Sequence, residues 1–256
     1  MPQTVLAAQM FTLREFTKTP DDIAATLKKV KGIGYDAIQI SAFGPIDPKE
    51  LAKMLADNEL TVCSTHTGWQ RFADEIDAVI EEHKLYGCTH PAIGGMPVDY
   101  RRADRIAEFA KLAEQVGRKL AEAGMDFSYH NHNFEFQKTA DGKTWLEILY
   151  ENSDPAVVKA EIDTYWVQAG GGDPAAWIRK MSGRMPILHL KDMTMGEDGQ
   201  RMAEIGEGNL NWPAILDAAK DAGVEWYCVE QDNCYDRDPF DSLKISLDNL
   251  HEMGLK

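Results

Sequence analysis

The chain has 256 residues, 44% of them hydrophobic and 27% charged, an ordinary globular composition able to bury a large core. Its 42 acidic residues against 27 basic ones give a formal charge of −15, which opposes binding to a phosphate backbone, so no nucleic acid partner is expected. No signal-peptide pattern opens the sequence and no run of about 18 apolar residues is present to span a bilayer, so a cytoplasmic protein with no membrane partner is expected.

Short apolar runs alternate with longer amphipathic stretches, eight of each. The first strand is read at 4–10 and its helix at 20–31, with Gly32 and Gly34 past the helix end. A strand at 36–41 precedes a helix at 48–58, and a strand at 60–66 precedes a helix at 72–86. A strand at 88–94 is followed by a long helical pattern at 100–123. The fifth strand begins at Met125 and runs into Tyr129-His130-Asn131-His132-Asn133-Phe134-Glu135-Phe136, with a short helix at 144–150. Strands at 157–162, 187–190 and 226–230 alternate with helices at 174–181, 212–222 and 240–253. Gly170-Gly171-Gly172 reads as a loop inside the sixth unit. Eight βα units with no Gly-rich phosphate fingerprint and no composition break predict an α/β fold, one (β/α)8 TIM barrel as a single domain over 1–256. Cys63, Cys88, Cys228 and Cys234 lack CxxC spacing and are expected to be reduced structural thiols.

In such a barrel the chemistry lies at the C-terminal ends of the strands. The first strand ends in Gln9 with Arg14 beyond it, the third in His66 and then Trp69, and the fifth in His130 and His132. The sixth ends in Asp163, the seventh in His189 followed by Lys191 and Asp192, and the eighth in Glu230 followed by Gln231 and Asp232. His130 and His132 are two apart and so share one side of an extended chain. Asp163, His189 and Glu230 each follow an apolar run on neighbouring strands. Two carboxylates and an imidazole suit one divalent metal ion, Mn²⁺, Mg²⁺, Co²⁺ or Zn²⁺. Lys191 falls on the side of His189, placed to neutralise an enolate, a phosphate or a hydroxyl. Trp69, Trp166 and Phe11 are candidate platforms for a sugar ring. His83 and His90 read as structural, and Gly206-Glu207-Gly208 as a plain turn.

The sequence resembles the xylose isomerase-like TIM-barrel superfamily of sugar (phosphate) isomerases and epimerases, which includes inosose dehydratases. The likeness rests on Gln9-Met10-Phe11-Thr12-Leu13-Arg14, Tyr129-His130-Asn131-His132, Glu161-Ile162-Asp163-Thr164-Tyr165-Trp166, His189-Leu190-Lys191-Asp192, Ile205-Gly206-Glu207-Gly208 and Val229-Glu230, in that order. It implies one divalent ion held from the ends of the fifth to eighth strands, with Asp163, His189 and Glu230 in the last three places. His130 stands where many members have Glu, which removes one carboxylate base; Glu135 is the other residue that would complete the set.

The expected function is a metal-dependent isomerase or epimerase that removes a proton next to a carbonyl of a keto-sugar, polyol or related carbohydrate. Glu230, His130, His132 and Lys191 are the catalytic candidates, with Gln9, Arg14, His66, Trp69 and Trp166 as substrate contacts. The alternative is a dehydratase or lyase acting by β-elimination. An apurinic endonuclease and a non-catalytic carbohydrate-binding barrel are weaker readings. A small carbohydrate is the expected partner, and a homo-oligomer is compatible with the sequence.

Overall fold

The structure is a computed structural model that describes residues 5–255. Eight parallel strands close into a barrel, β1 (Val5–Gln9), β2 (Ala37–Ile40), β3 (Thr61–His66), β4 (Pro91–Ile93), β5 (Phe127–His130), β6 (Val158–Asp163), β7 (Ile187–Leu190) and, after an inserted hairpin, β10 (Trp226–Val229). The barrel closes because β1 pairs with both β2 and β10, Ala7 opposite Ala37 and Cys228. The expected (β/α)8 architecture is therefore present. Thr4, placed in the first strand from sequence, lies outside the described residues.

The helices form the outer layer: α1 (Pro20–Ile33), α2 (Pro48–Asp57), α3 (Trp69–Asp74), α4 (Ile76–Tyr86), α5 (Ile106–Ala121), α6 (Trp145–Glu151), α7 (Thr164–Ala169), α8 (Pro174–Lys180), α9 (Trp212–Ala222) and α10 (Pro239–Glu252). Their starts follow local chemistry. Thr19 and Thr144 build capping boxes with Asp22 and Glu147, and Asp47, Asp173 and Asp238 cap helices whose first residue is proline.

Several boundaries differ from the sequence reading. The helix expected at 72–86 divides at Glu75, whose backbone leaves the helical region (φ −133°), into α3 and α4. The pattern at 100–123 yields α5 only from Ile106, after a 3₁₀ turn at Val98–Tyr100. Four elements were not expected: a 3₁₀ segment at Met10–Phe16, a 3₁₀ turn at Phe134–Phe136 beyond the end of β5 at His130, the short helix α7 directly after β6, and an antiparallel hairpin of β8 (Asp192–Gly196) and β9 (Gly199–Ala203). All four lie in loops at the C-terminal ends of strands.

Side chains alternate along each strand, so residues two apart stack in layers inside the barrel. The lowest layer is small and apolar, with Ala7, Ala37, Cys63, Ile187 and Cys228 packed together. Two residues further along, the interior turns polar: Gln39, Glu161 and His189 are fully buried. The top layer carries His130, Asp163, Lys191 and Glu230, each under 5% exposed. The outward residues of the same strands, such as Tyr129, Ile162, Leu188, Leu190 and Val229, join the large apolar core under the helices. The stability of the barrel is therefore carried by its helix-facing side, which frees the upper interior for groups that are costly to bury.

Candidate active site

The two upper layers bring together side chains from four neighbouring strands. His130, Asp163, His189 and Glu230 each offer one ligand atom, and the four atoms lie within 4.8 Å of one another. Parallel pairing sets this convergence, since Asp163 is level with His189 and Cys228 with His189, which puts Glu230 one step above. His189 Nδ1 is 3.1 Å from Glu230 Oε2, and His130 Nε2 is 3.2 Å from Asp163 Oδ2.

The proton inventory of this cluster points to a missing positive charge. His130 Nδ1 faces the carbonyl oxygen of Gly94 at 3.4 Å, the contact expected if that nitrogen carries the proton. Burial lowers the pKa of His130, with His189 adding to the effect, so the ring is neutral and its Nε2 lone pair confronts a carboxylate oxygen. Two acceptors in that position need a proton or a cation between them. Three buried carboxylates, Glu161, Asp163 and Glu230, and the partly exposed Asp232 surround one ammonium, Lys191, and one imidazole, His189, whose pKa burial would lower but Glu161 and Glu230 raise to about 10. Even with both of these charged, two negative charges remain, and a divalent ion would neutralise them. The donor set of His130, Asp163, His189 and Glu230 therefore fits a divalent cation.

Lys191 is fully buried, and its Nζ lies 2.6 Å from Glu230 Oε2 and 3.0 Å from both Asp163 Oδ2 and Asp232 Oδ2. Burial disfavours the ammonium, but the three carboxylates more than reverse this and hold it charged. Burial would raise the pKa of Glu230, yet Lys191 and His189 hold it well below the usual carboxylate range. Asp232 carries the opposite balance, and burial and the Glu230 charge push it up to about 6.

Above this floor opens a pocket of about 440 Å³. His66, His130, His132, Trp69, Trp166 and Glu230 all line it, together with Phe11, Asp232 and the Gly94-Gly95 turn. His132 follows the end of β5. Its ring lies 5.0 Å from that of His130 and 5.2 Å from that of Trp166, and its buried Nδ1 has no hydrogen-bond partner. Burial pushes its pKa down to about 3, so it is neutral. Gly95, at φ +153°, leaves room for this ring, since a Cβ there would stand 3.1 Å from His132 Cε1.

Other candidates from the sequence sit off the pocket wall. Gln9 is fully buried, with Oε1 accepting from Phe11 N at 2.5 Å and Nε2 turned to His66 Nδ1 at 3.3 Å. Arg14 gives its guanidinium to the carbonyl oxygens of Phe11 and Asp232, both at 2.9 Å. Glu135 turns away from the cluster, accepting from Tyr129 Oη at 2.6 Å and from His132 N at 2.9 Å. It is His130, not Glu135, that stands beside Asp163. His83 and His90 bond Thr65 and Asp126 away from the pocket, as expected for structural residues.

Three site residues escaped the sequence reading as functional candidates. Gln39 and Glu161 lie in strand bodies, where ends were searched, although Glu161 is two before Asp163 and must share its face. Asp232 is two beyond Glu230, and that spacing was the available signal. Asp192 has yet another place. Its carboxylate accepts from the N–H groups of Gly206, Gly208 and Leu210 and from Trp212 Nε1 at 2.6 Å, so it ties the turn at 206–208 to the barrel. A Cβ at Gly208 would overlap that carboxylate.

Residues 27–252 match the family model for the xylose isomerase-like TIM barrel. The chain belongs to the xylose isomerase-like TIM barrel family. It is similar to the inosose dehydratase of Geobacillus kaustophilus (strain HTA426), 26% identical over 192 residues, 65% of this chain. That match spans 61% of the relative's length, under two thirds of it. Among solved structures, a sugar phosphate isomerase/epimerase from Parabacteroides distasonis ATCC 8503 superposes with a TM-score of 0.81 at 23% identity, over 98% of each chain. An L-ribulose 3-epimerase superposes with a TM-score of 0.76 at 18% identity, over 99% of this chain and 95% of that one. At these identities the structural likeness establishes the family's fold. No described helix is long and apolar enough to cross a membrane.

Proposed function

We propose that this family member is a divalent-cation-dependent isomerase or epimerase that removes a proton next to the carbonyl of a keto-sugar, polyol or related carbohydrate. The observation that carries the reading is the four-strand donor set of His130, Asp163, His189 and Glu230 beneath a pocket walled by Trp69 and Trp166. Those four residues would hold the cation, which when bound supplies Lewis-acid polarisation of substrate oxygens.

The protein's own residues divide the remaining work. Trp69 and Trp166 offer flat apolar faces that orient a sugar ring and exclude water. Lys191, held charged by three carboxylates, stabilises negative charge as it develops on an oxygen. Proton transfer needs a free acceptor at the pocket surface. Glu230 is tied to Lys191 and His189, and His130 Nε2 faces Asp163, whereas His132 lines the pocket as a neutral ring outside the donor set. His132 takes the proton and, once protonated, returns it to the neighbouring carbon for isomerisation.

A second reading, dehydration by β-elimination, is favoured by two observations. An imidazole stands at position 130 where a carboxylate base would serve a two-glutamate epimerase, and Asp232, pushed up to about 6, lines the pocket as a carboxyl able to protonate a departing hydroxyl. Incubation with Mn²⁺ and a panel of keto-sugars and inososes in D₂O separates the two. Deuterium at the α carbon without an absorbing enone supports the isomerase or epimerase; an enone supports the lyase. No exchange and no elimination with any of them counts against both. A His189→Ala variant that keeps full metal content would sink the proposed cation site.

A further inference from the structure

Beneath the candidate site lies a closed polar layer that no catalytic step above employs. Glu161 is fully buried on β6, two residues before Asp163 and on the same interior face. Its Oε1 lies 2.8 Å from His189 Nε2 and 2.5 Å from Gln39 Nε2, and its Oε2 lies 3.3 Å from His66 Nε2.

The donors can be assigned around this ring. Gln9 Oε1 already accepts from Phe11 N, so its amide NH₂ faces His66 Nδ1. His66 then carries its proton on Nε2 and donates to Glu161. Gln39 donates from Nε2 to Glu161 and to Ser64 Oγ at 3.1 Å, so its Oε1, 2.7 Å from His189 Nε2, is an acceptor. His189 Nε2–H therefore faces two acceptors and no donor. Glu161 Oε1 accepts from Gln39 Nε2 and Oε2 faces the His66 Nε2 proton, while His189 Nε2–H donates to Gln39 Oε1 with Glu161 Oε1 2.8 Å from the same nitrogen.

The three residues His66, Glu161 and His189 also lie close enough to hold an ion of their own. The hydrogen-bond inventory argues for a different role, because each nitrogen facing Glu161 has a proton to give and no lone pair is left without a donor. We propose that Glu161 is a positioning residue. Its carboxylate, backed by Gln39, fixes the proton of His189 on Nε2 and so presents the Nδ1 lone pair to the cation site, while the same carboxylate orients the His66 ring on the pocket wall. A carboxylate behind a ligating imidazole fixes its tautomer and raises its basicity, and removing such a partner typically costs about 10- to 100-fold in metal affinity.

The proposal rests on the cation-dependent reading above, and its test keeps the two apart. In ¹⁵N-histidine-labelled protein loaded with Zn²⁺, His189, assigned by its loss in His189→Asn, should carry its proton on Nε2 and coordinate through Nδ1. The opposite arrangement overturns the proposal, and this arm needs no variant of Glu161. Glu161→Gln should fold as the wild type by circular dichroism and bind Zn²⁺ about 10- to 100-fold more weakly by titration calorimetry. Unchanged affinity in that variant overturns the proposal. If the wild type takes up no cation, the cation reading fails, and metal-free protein decides the positioning role alone. There the His189 Nε2–H resonance should exchange slowly with water in the wild type and rapidly in Glu161→Leu, and equal exchange in the two overturns it.

Discussion

Lys191 Nζ sits 2.6 Å from Glu230 Oε2, the same oxygen that faces His189 Nδ1 at 3.1 Å. An ammonium and an imidazole thus share one carboxylate oxygen at the centre of the proposed cation site. Lys191 and a divalent ion are therefore rivals for the charge of Asp163 and Glu230, and Asp232 gives the ammonium a third partner to retain.

Lys191→Met removes the rival. In chelator, Asp163, Glu230 and Asp232 lose their common counter-charge, and stability should fall by about 3 kcal/mol, the scale for breaking a buried ion pair. Mn²⁺ should restore most of that loss, and Mn²⁺ affinity should rise above that of the wild type. Urea unfolding with and without Mn²⁺ checks this. Equal stability of variant and wild type in chelator would show that the ammonium does not neutralise the cluster.

His132→Asn tests the acceptor assignment. The side chain is smaller and remains polar, and His132 is not among the four donors, so metal content should stay at the wild-type level. The turnover number should fall by about 10²- to 10⁴-fold, the contribution of a placed proton acceptor, with a much smaller change in KM. Steady-state kinetics on the substrate found by deuterium exchange, with metal analysis of the same sample, checks both halves. Full turnover in the variant assigns the proton to another residue.

Glu135 gives a pH dependence independent of the cation. Burial pushes its pKa from 4.5 up to about 7, against the lowering effect of bonds from Tyr129 and His132. The folded state thus binds the proton more tightly than the unfolded chain, so stability contributed by the protonated form is lost as pH rises from about 4.5 through about 7. Glu135→Gln should be stabilising by about 3 kcal/mol at pH 8 relative to its effect at pH 4, a figure scaled from about 1.4 kcal/mol per pKa unit. Calorimetric unfolding at the two pH values reads the difference, and a parallel shift at both rules out an ionised Glu135 as the source.

Asp192→Ala removes the acceptor for four backbone N–H groups, those of Met193, Gly206, Gly208 and Leu210, and for the Trp212 indole. Unpartnered buried donors cost about 1–3 kcal/mol each, though relaxation and water entry in the turn reduce the sum, so a loss of about 3 kcal/mol is expected. Amide hydrogen exchange should accelerate at Gly206, Gly208 and Leu210 while β5 and β6 stay protected. Exchange unchanged at those three amides would separate the turn from Asp192.

The barrel was legible because its strands are apolar and evenly spaced, and its upper rim because ionisable residues follow the apolar runs. Asp163, His189 and Glu230 stand where a search of strand ends places them. Glu161 and Gln39 were not found that way, since in Val158-Lys159-Ala160-Glu161-Ile162-Asp163 charged residues alternate with apolar ones and Glu161 reads as solvent-facing like Lys159. The interior of the barrel is polar one layer deeper than a hydrophobic core rule allows, and only the period of two carried from Asp163 back to Glu161 reveals it. Arg14 was placed at the substrate from its type and position, yet side-chain length lets it fold back onto the carbonyls of Phe11 and Asp232. The hairpin of β8 and β9 went unread because its strands are short: Met193 and Met195 alternate with Thr194 before the turn, but Gly199-Gln200-Arg201 after it offers no matching apolar residue.

Asp163 is both a floor residue and the N-cap of α7: Oδ2 faces His130 and Lys191, while Oδ1 accepts from Trp166 N at 3.0 Å. A carboxylate is a rigid plane, so a tug on one oxygen turns the other. Charge arriving at the floor is thus transmitted through a single side chain to the first turn of α7, and from there to the indole that forms one wall. On the proposed reading, pocket width and cation occupancy are linked through this one side chain, and the floor is expected to fill before the sugar enters. Trp166 fluorescence, isolated by difference from Trp166→Phe, should therefore shift on Zn²⁺ addition before any substrate is present; an unmoved signal would uncouple wall from floor.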